Sequence, residues 1–201
     1  MLFKIGKLKF NLSFTFIAVI LFIILNKRFN FLAVSLICSL LHELVHIIFI
    51  VAFGCEIEEI ALTIFGGNIK RKNDSKTTLL KESVIHLCAP IFNIALGTII
   101  LTFNKNNHWG YVNLFIGLFN IAPFLNFDGG VGLCLILSYF LKEATVQNII
   151  TVTSFIIVVI FTAFDLWVSV NRGMNISFVF INMYFIALFV YRLYKKRTDI
   201  V

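Results

Sequence analysis

Residues 41–50 read LHELVHIIFI, and this stretch places three polar side chains inside a strongly apolar run. His42 and His46 are four positions apart, so a helix would carry both imidazoles on one face, one turn apart. Two imidazole nitrogens at that spacing can bind one metal ion at about 2.0–2.1 Å. Glu43 lies about 100° around the helix, where it can act as general base towards a water on the metal. The HExxH pattern therefore predicts a metal-dependent hydrolase.

The composition of the chain is that of an integral membrane protein. The 201 residues are 60% hydrophobic, with a mean hydropathy of +0.97. Runs of about 20 apolar residues span a bilayer as helices. We predict an all-α polytopic membrane protein in which the chain, 1–201, forms one domain. Its six predicted spans are 11–25, 30–53, 83–103, 111–140, 146–164 and 174–194, of which we interpret the first as a retained anchor.

The distribution of Lys and Arg predicts the orientation of the chain. Six spans put both termini on one side of the membrane, and most of the 17 Lys and Arg fall on that side. Only the basic residues of the opposite loops fall elsewhere, namely Lys27, Arg28, Lys105 and Arg172. By the positive-inside rule both termini are cytoplasmic. We interpret the net charge of +7 as contact with anionic lipid and expect no nucleic-acid partner, because no basic stripe with interleaved aromatics is present.

The segment after the first motif differs from its surroundings. Residues 54–82 begin with alternating polar and apolar positions, as in Glu56, Ile57 and Glu58, and then run to Gly66 and Gly67. Alternation followed by two glycines is typical of a strand and a turn. We therefore expect a small strand-like membrane segment directly after the helix that carries His42 and His46.

A third metal ligand is expected at a membrane depth similar to that of the two histidines. A catalytic zinc usually has three protein ligands and one open position. Away from the motif, the predicted membrane interior offers His86 and Asp128, while Asp165 sits at a span end. Asp128 follows a helix-breaking proline and precedes two glycines, so we predict it as the ligand; a buried acceptor or helix cap is the alternative. For His86 we leave open a supporting donor, a substrate contact and an interfacial position.

Three pieces of the chain carry a family resemblance. They are HELVH at 42–46, CAPIFN at 88–93 and NIAPFLNFDGG at 120–130. Together they resemble the site-2 protease family of intramembrane zinc metalloproteases, and more closely the group that contains the stage IV sporulation protein FB. The resemblance covers residues 30–140 as a catalytic core. Some family members carry PDZ or CBS-type domains. We expect neither domain in this chain.

The resemblance implies the roles of the site residues. A Zn²⁺ ion would be held by His42, His46 and Asp128, with Glu43 as the catalytic base. Asn120 and Pro123 would shape the wall against which the substrate lies. The activity implied is that of a zinc metalloendopeptidase of the site-2 protease type.

The resemblance also implies a setting for the reaction. The substrate would be a membrane-embedded or membrane-associated protein, with a sigma-factor precursor and an anti-sigma factor as candidates. Inhibitory membrane partners are implied as well. The location would be a bacterial cell membrane, with a sporulation membrane as the specific candidate.

Hydrolysis inside a membrane requires water and an unwound substrate. His46 is seven residues before the predicted end of its span, about 10 Å below the cytoplasmic surface, so we expect cleavage near that face. Residues 56–67 could receive an extended substrate along a strand edge, with Gly66 and Gly67 allowing close approach. Side-chain amides of Asn93, Asn120 or Asn126 could hold the unwound segment, and interhelical hydrogen bonds are the alternative for each.

Two other functions remain open at this point. Broken helices with intramembrane His and Asp also occur in transporters and channels. An inactive scaffold that binds partners is the other alternative. A Glu43→Gln variant separates them, because only a protease needs that carboxylate as a base.

Overall fold

The computed structural model describes residues 2–5, 8–25, 30–63, 66–72, 77–124, 127–173 and 176–198. Its helices are α1 (Phe14–Leu25), α2 (Asn30–Ala52), α3 (Leu79–Phe103), α4 (His108–Ile121), α5 (Asp128–Phe140), α6 (Glu143–Arg172) and α7 (Ile176–Thr198). Its strands are β1 (Leu2–Ile5), β2 (Leu8–Leu12), β3 (Ile57–Thr63) and β4 (Gly66–Arg71).

Four of the described helices are long and apolar enough to cross a membrane, by length and composition. They are α2, α3, α6 and residues 176–194 of α7, and they match four of the six predicted spans. The first predicted span, 11–25, contains only the 12-residue α1. At 1.5 Å per residue α1 measures about 18 Å, shorter than the hydrocarbon core of about 30 Å.

The predicted span 111–140 is broken in its middle into two helices, at the proline and glycines that indicated an irregular backbone there. α4 ends at Ile121, and Pro123 lies in the short connection before α5 begins at Asp128. Proline cannot donate a backbone hydrogen bond and disfavours a helical conformation in the residue before it. A Cβ on Gly129 would lie 2.0 Å from the carbonyl oxygen of Ile121, so α5 can start this close to the end of α4 only with glycine there.

The described chain contains a four-stranded sheet in the order β1-β2-β3-β4, so the predicted all-α class is a simplification. β3 and β4 are antiparallel and occupy the segment where alternation and two glycines predicted a strand and turn. The N-terminal pair was not predicted. β2 runs parallel to β3, with Lys9 opposite Glu59, and Lys9 Nζ donates to Glu58 Oε1 at 2.9 Å.

Small residues bring α3 and α4 into close contact. A Cβ on Gly97 would lie 2.6 Å from the backbone nitrogen of Leu114, and one on Gly117 would lie 2.7 Å from the carbonyl oxygen of Pro90. Glycines at helix crossings let two backbones approach in a membrane protein. On the other side of the break, a buried hydrophobic cluster joins the connection between α4 and α5 to helices α6 and α7. Its members are Phe124, Phe127, Val158 and Phe185.

Candidate metal centre and active site

Two imidazoles and one carboxylate converge in the interior of the helical bundle. His42 and His46 are both buried on α2, and their Nε2 atoms lie 3.0 and 3.2 Å from Oδ2 of Asp128. The three ligand atoms lie within 4.8 Å of one another. Helical spacing accounts for the two histidines, while the chain break before α5 brings Asp128 to them at the first turn of that helix.

The hydrogen bond on the far side of His46 fixes which nitrogen carries its proton. Its Nδ1 lies 2.7 Å from the carbonyl oxygen of Ile85. A carbonyl oxygen can only accept a hydrogen bond, so Nδ1 of His46 donates. The neutral ring then presents a lone pair at Nε2, towards Asp128.

A chain of amides fixes the same tautomer in His42. Asn113 faces the carbonyl oxygen of Trp109 at 2.8 Å, so the atom there is its amide nitrogen. Oδ1 of Asn113 then accepts from Nδ2 of Asn93 at 2.9 Å. Oδ1 of Asn93 in turn accepts from Nδ1 of His42 at 3.0 Å, which leaves Nε2 of His42 with a lone pair.

These tautomers leave a centre of acceptors that fits a cation. When both rings are neutral, their Nε2 lone pairs and the anionic oxygen of Asp128 repel one another unless a cation, either a proton or a metal ion, lies between them. Imidazole and carboxylate are common zinc ligands, and three such groups with an open position form a catalytic zinc site. The residues present therefore fit a divalent metal, and they are the three that the sequence predicted as ligands.

Glu43 stands beside this centre without belonging to it. Its Oε1 accepts a hydrogen bond from the backbone nitrogen of Gly67 at 2.8 Å. A Cβ on Gly67 would lie 2.6 Å from Oε2 of Glu43, so β4 passes directly over the carboxylate. The position suits a proton acceptor next to the metal site, as the HExxH spacing predicted.

The centre opens into a polar cavity of about 420 Å³. Helices α2, α3, α4 and α5 and strand β4 form its walls. Its polar lining consists of Ser39, His42, Glu43, His46, Asn68, Arg71, His86, Asn120 and Asp128. Nη1 and Nη2 of Arg71 bond both carboxylate oxygens of Glu82, at 2.6 and 2.8 Å, and this ties β4 to α3. These bonds raise the pKa of Arg71, so a fixed positive charge stands at the cavity rim.

The residues predicted to contact substrate fall in different places. Gly67 and Asn120 line the cavity, and Gly66 precedes Gly67 at the start of β4. Asn93 does not line it: the side chain is fully buried between His42 and Asn113, so the predicted substrate contact does not fit its position. Pro123 lies in the break between α4 and α5, where its carbonyl oxygen accepts from Thr153 at 3.3 Å. Asn126 lies outside the described residues.

Some residues of the site were not found from the sequence. His86, whose role the sequence left open, lies with Nδ1 3.3 Å from Oδ1 of Asp128. Asn113 and the carbonyl of Ile85 act behind the ligands and carry no motif. An ionisable side chain inside an apolar helix was the available signal for His86. Asp165, the other acid considered, lies on α6 and bonds Asn182 instead.

Comparison with known proteins supports the fold. No protein-family model and no curated protein matches the sequence. Among solved structures, the site-2 protease from Methanocaldococcus jannaschii superposes with a TM-score of 0.61 and 23% sequence identity. The match covers 94% of this chain and 93% of that chain. The chain therefore shares, over nearly its whole length, the fold of a site-2 protease.

Proposed function

We propose that this protein is an intramembrane zinc metalloprotease of the site-2 protease type. The observation that carries the proposal is the convergence of His42, His46 and Asp128 beside Glu43. These residues line one polar cavity in a chain with helices long and apolar enough to cross a membrane. The fold shared with a site-2 protease supports the same proposal. The transporter alternative explains a metal site, but it gives no role to a carboxylate placed beside the ligands.

The residues of the cavity have distinct roles in the proposed reaction. His42, His46 and Asp128 would hold a zinc ion, which when bound would supply Lewis acidity to lower the pKa of water towards 7 and to polarise the scissile carbonyl. Glu43 takes a proton from the attacking water and delivers it to the amide nitrogen as the C–N bond breaks. The hydrogen bond from Gly67 keeps that carboxylate turned into the cavity between turnovers.

The proposed setting is a membrane crossed six times. α1 provides a short first pass, and α4 and α5 together provide the fourth, with the break at the level of the metal site. By the positive-inside rule, the distribution of Lys and Arg supports a cytoplasmic location for both termini and the sheet. Water enters from that side, and cleavage occurs near the cytoplasmic face. The proposed location is a bacterial cell membrane.

The proposed substrate is a membrane protein that presents an extended segment to the cavity. In the described part of the chain β4 pairs with β3 alone, so its other edge is available for strand addition. Asn120 lines the cavity and could bond the unwound segment. From the motif resemblance to the stage IV FB group, we further propose that the substrate is a sigma-factor precursor and that the cleavage takes place during sporulation.

Metal content and cleavage together test the proposal. We would measure zinc per chain in detergent-purified wild type, His46→Ala, Asp128→Ala and Glu43→Gln. We expect about one zinc in wild type and Glu43→Gln, none in His46→Ala and a reduced amount in Asp128→Ala. In micelles with a library of quenched fluorescent apolar peptides, wild type should cleave and Glu43→Gln should not.

Each outcome has a clear reading. If the well-folded wild type bound no zinc, the proposed mechanism would be contradicted. Full cleavage by Glu43→Gln would remove Glu43 as the base. Zinc binding without cleavage in any variant, including wild type, would favour the transporter or scaffold alternatives.

A further inference from the structure

Helix α3 contacts the far side of all three ligands of the candidate metal site. The carbonyl of Ile85 accepts from His46 at 2.7 Å, and Asn93 accepts from His42 at 3.0 Å. His86 bonds Asp128 at 3.3 Å. No residue of α3 is itself among the three ligands. One helix therefore fixes the orientation of groups that come from two others, α2 and α5.

The spacing along α3 explains how one helix reaches all three. Asn93 follows His86 by seven positions, which is about two turns, so these two side chains share one face of α3, while Ile85 contributes its backbone carbonyl one position before His86. Pro90 lies between them inside the helix. A proline removes the hydrogen bond to the carbonyl four residues earlier and bends the helix there. The carbonyl that Pro90 leaves without its helical N–H donor is that of His86, in the turn that contacts His46 and Asp128.

His86 differs from the other two because its partner is a carboxylate with two oxygens. Oδ2 of Asp128 faces both histidines, and Oδ1 has His86 as its partner among the described residues. A carboxylate oxygen only accepts, so Nδ1 of His86 donates. Asp128 is the first residue of α5, and the preceding Phe127 makes no side-chain capping bond. Little else in the described structure fixes the rotation of this carboxylate.

We propose that His86 is a positioning residue, which holds Oδ1 of Asp128 so that Oδ2 alone is presented to the metal. This inference rests on the proposed function. Partners behind metal ligands raise affinity by fixing ligand orientation, and their loss typically weakens metal binding about 10–100-fold. His86 lines the cavity but acts through Asp128. Its loss should therefore first lower the affinity of the site for metal.

Metal affinity provides a readout that does not depend on a substrate. We would measure the Zn²⁺ dissociation constant of the full chain in detergent by competition with a chromophoric chelator. We expect binding about 10–100-fold weaker in His86→Ala. His86→Asn should remain near wild type, because its amide nitrogen can take the place of Nδ1. His86→Gln should resemble His86→Ala, because the longer side chain puts its amide beyond that place.

A spectroscopic measurement separates orientation from general damage. Co²⁺ substituted for Zn²⁺ reports ligand geometry through its visible absorption. We expect a changed Co²⁺ spectrum in His86→Ala and His86→Gln, and the wild-type spectrum in His86→Asn. His108→Ala is the matched control, since His108 is an exposed histidine at the start of α4. If His86→Ala does not fold, the comparison of His86→Asn with His86→Gln still decides the question.

The inference and the proposed function fail in different ways. Wild-type zinc affinity and spectrum in His86→Ala or His86→Gln would overturn the positioning role alone. Equal weakening in His86→Asn and His86→Gln would do the same, because the donor at Nδ1 would then be irrelevant. A wild type that binds neither Zn²⁺ nor Co²⁺ would overturn the proposed function and this inference with it.

Discussion

Glu43 and Gly67 form the contact in which the predicted base meets the sheet. The carboxylate comes from α2 and the backbone nitrogen from β4, 24 residues later. The N–H holds one carboxylate oxygen and leaves the other free for proton transfer. Any side chain at position 67 would occupy the place where that second oxygen lies. The requirement for glycine here comes from space, since the backbone of Gly67 does not have a positive φ.

A Gly67→Ala substitution tests this contact. The added Cβ would lie 2.6 Å from Oε2 of Glu43, so the carboxylate must turn away from the cavity. We expect peptide cleavage to fall at least about tenfold, which is less than the roughly 10²–10⁴-fold contribution of a positioned general base because the carboxylate is displaced and not removed. Zinc per chain should stay at the wild-type value, since the three ligands do not touch Gly67.

The control for this variant is Lys70→Ala on the same strand, which is exposed, is not among the residues that line the cavity and leaves Gly67 in place. Reduced cleavage in Gly67→Ala alone would agree with the contact. Unchanged cleavage in Gly67→Ala would show that Glu43 does not depend on the strand.

At the scale of elements, the contact between α3 and α4 supports the metal site from behind. Asn113 on α4 bonds Asn93 on α3, which in turn orients His42. This relay needs the two helices to be close. Gly97 allows this close approach, because the absence of a side chain leaves room for the backbone of α4 at Leu114 and Gly110.

A Gly97→Leu substitution should separate α3 from α4. Its Cβ alone would lie 2.6 Å from a backbone nitrogen, which cannot move aside as a side chain would. We expect a loss of about 1–3 kcal/mol of stability, as for overpacking elsewhere, together with weaker zinc binding through Asn93. Thermal unfolding in detergent and chelator competition would measure the two effects.

Ala95→Leu is the matched control, because Ala95 lies on the exposed side of the same helix. We expect it to change neither quantity. A Gly97→Leu variant as stable as Ala95→Leu would contradict a tight helix crossing at this point.

At the scale of the whole molecule, the described elements suit a chain that passes back and forth through a bilayer. α3 ends at Phe103 and α4 returns from His108, so their connection lies at one end of the bundle. α5 ends at Phe140 and α6 begins at Glu143. This second connection is separated from the first by α4 and α5, which together form one interrupted crossing. The two connections should therefore face opposite sides of the membrane.

Cysteine labelling at these connections tests the orientation. Single cysteines would be placed at Lys105 and Lys142 in a chain whose four native cysteines are replaced by serine. We expect Lys105→Cys to react with an impermeant maleimide added to intact cells. Lys142→Cys should react only after lysis, because Lys-rich segments stay in the cytoplasm. The reverse result, or labelling of both in intact cells, would contradict the proposed topology.

The sequence by itself determined the residues of the centre and the broad class of the molecule. HExxH depends on helical periodicity, which is local, and it predicted two candidate ligands and a candidate base. The long apolar runs predicted six spans, and four of them are described helices of spanning length, because hydropathy is also a local property. The proline and the glycines around Asp128 showed where a helix had to break, and they singled out that aspartate.

Only the tertiary structure decided which groups stand behind the ligands. His86, Ile85 and Asn93 are 39 to 51 positions from the α2 histidines and 35 to 43 from Asp128, and no local pattern encodes such pairings. The N-terminal strands show the same limit. Alternation in Leu8–Leu12 is visible in the sequence, but its pairing with β3 joins segments about 50 positions apart, which strand propensity cannot predict. Long-range packing therefore decided which ring nitrogen of His42 and His46 faces the groups behind it and which faces Asp128.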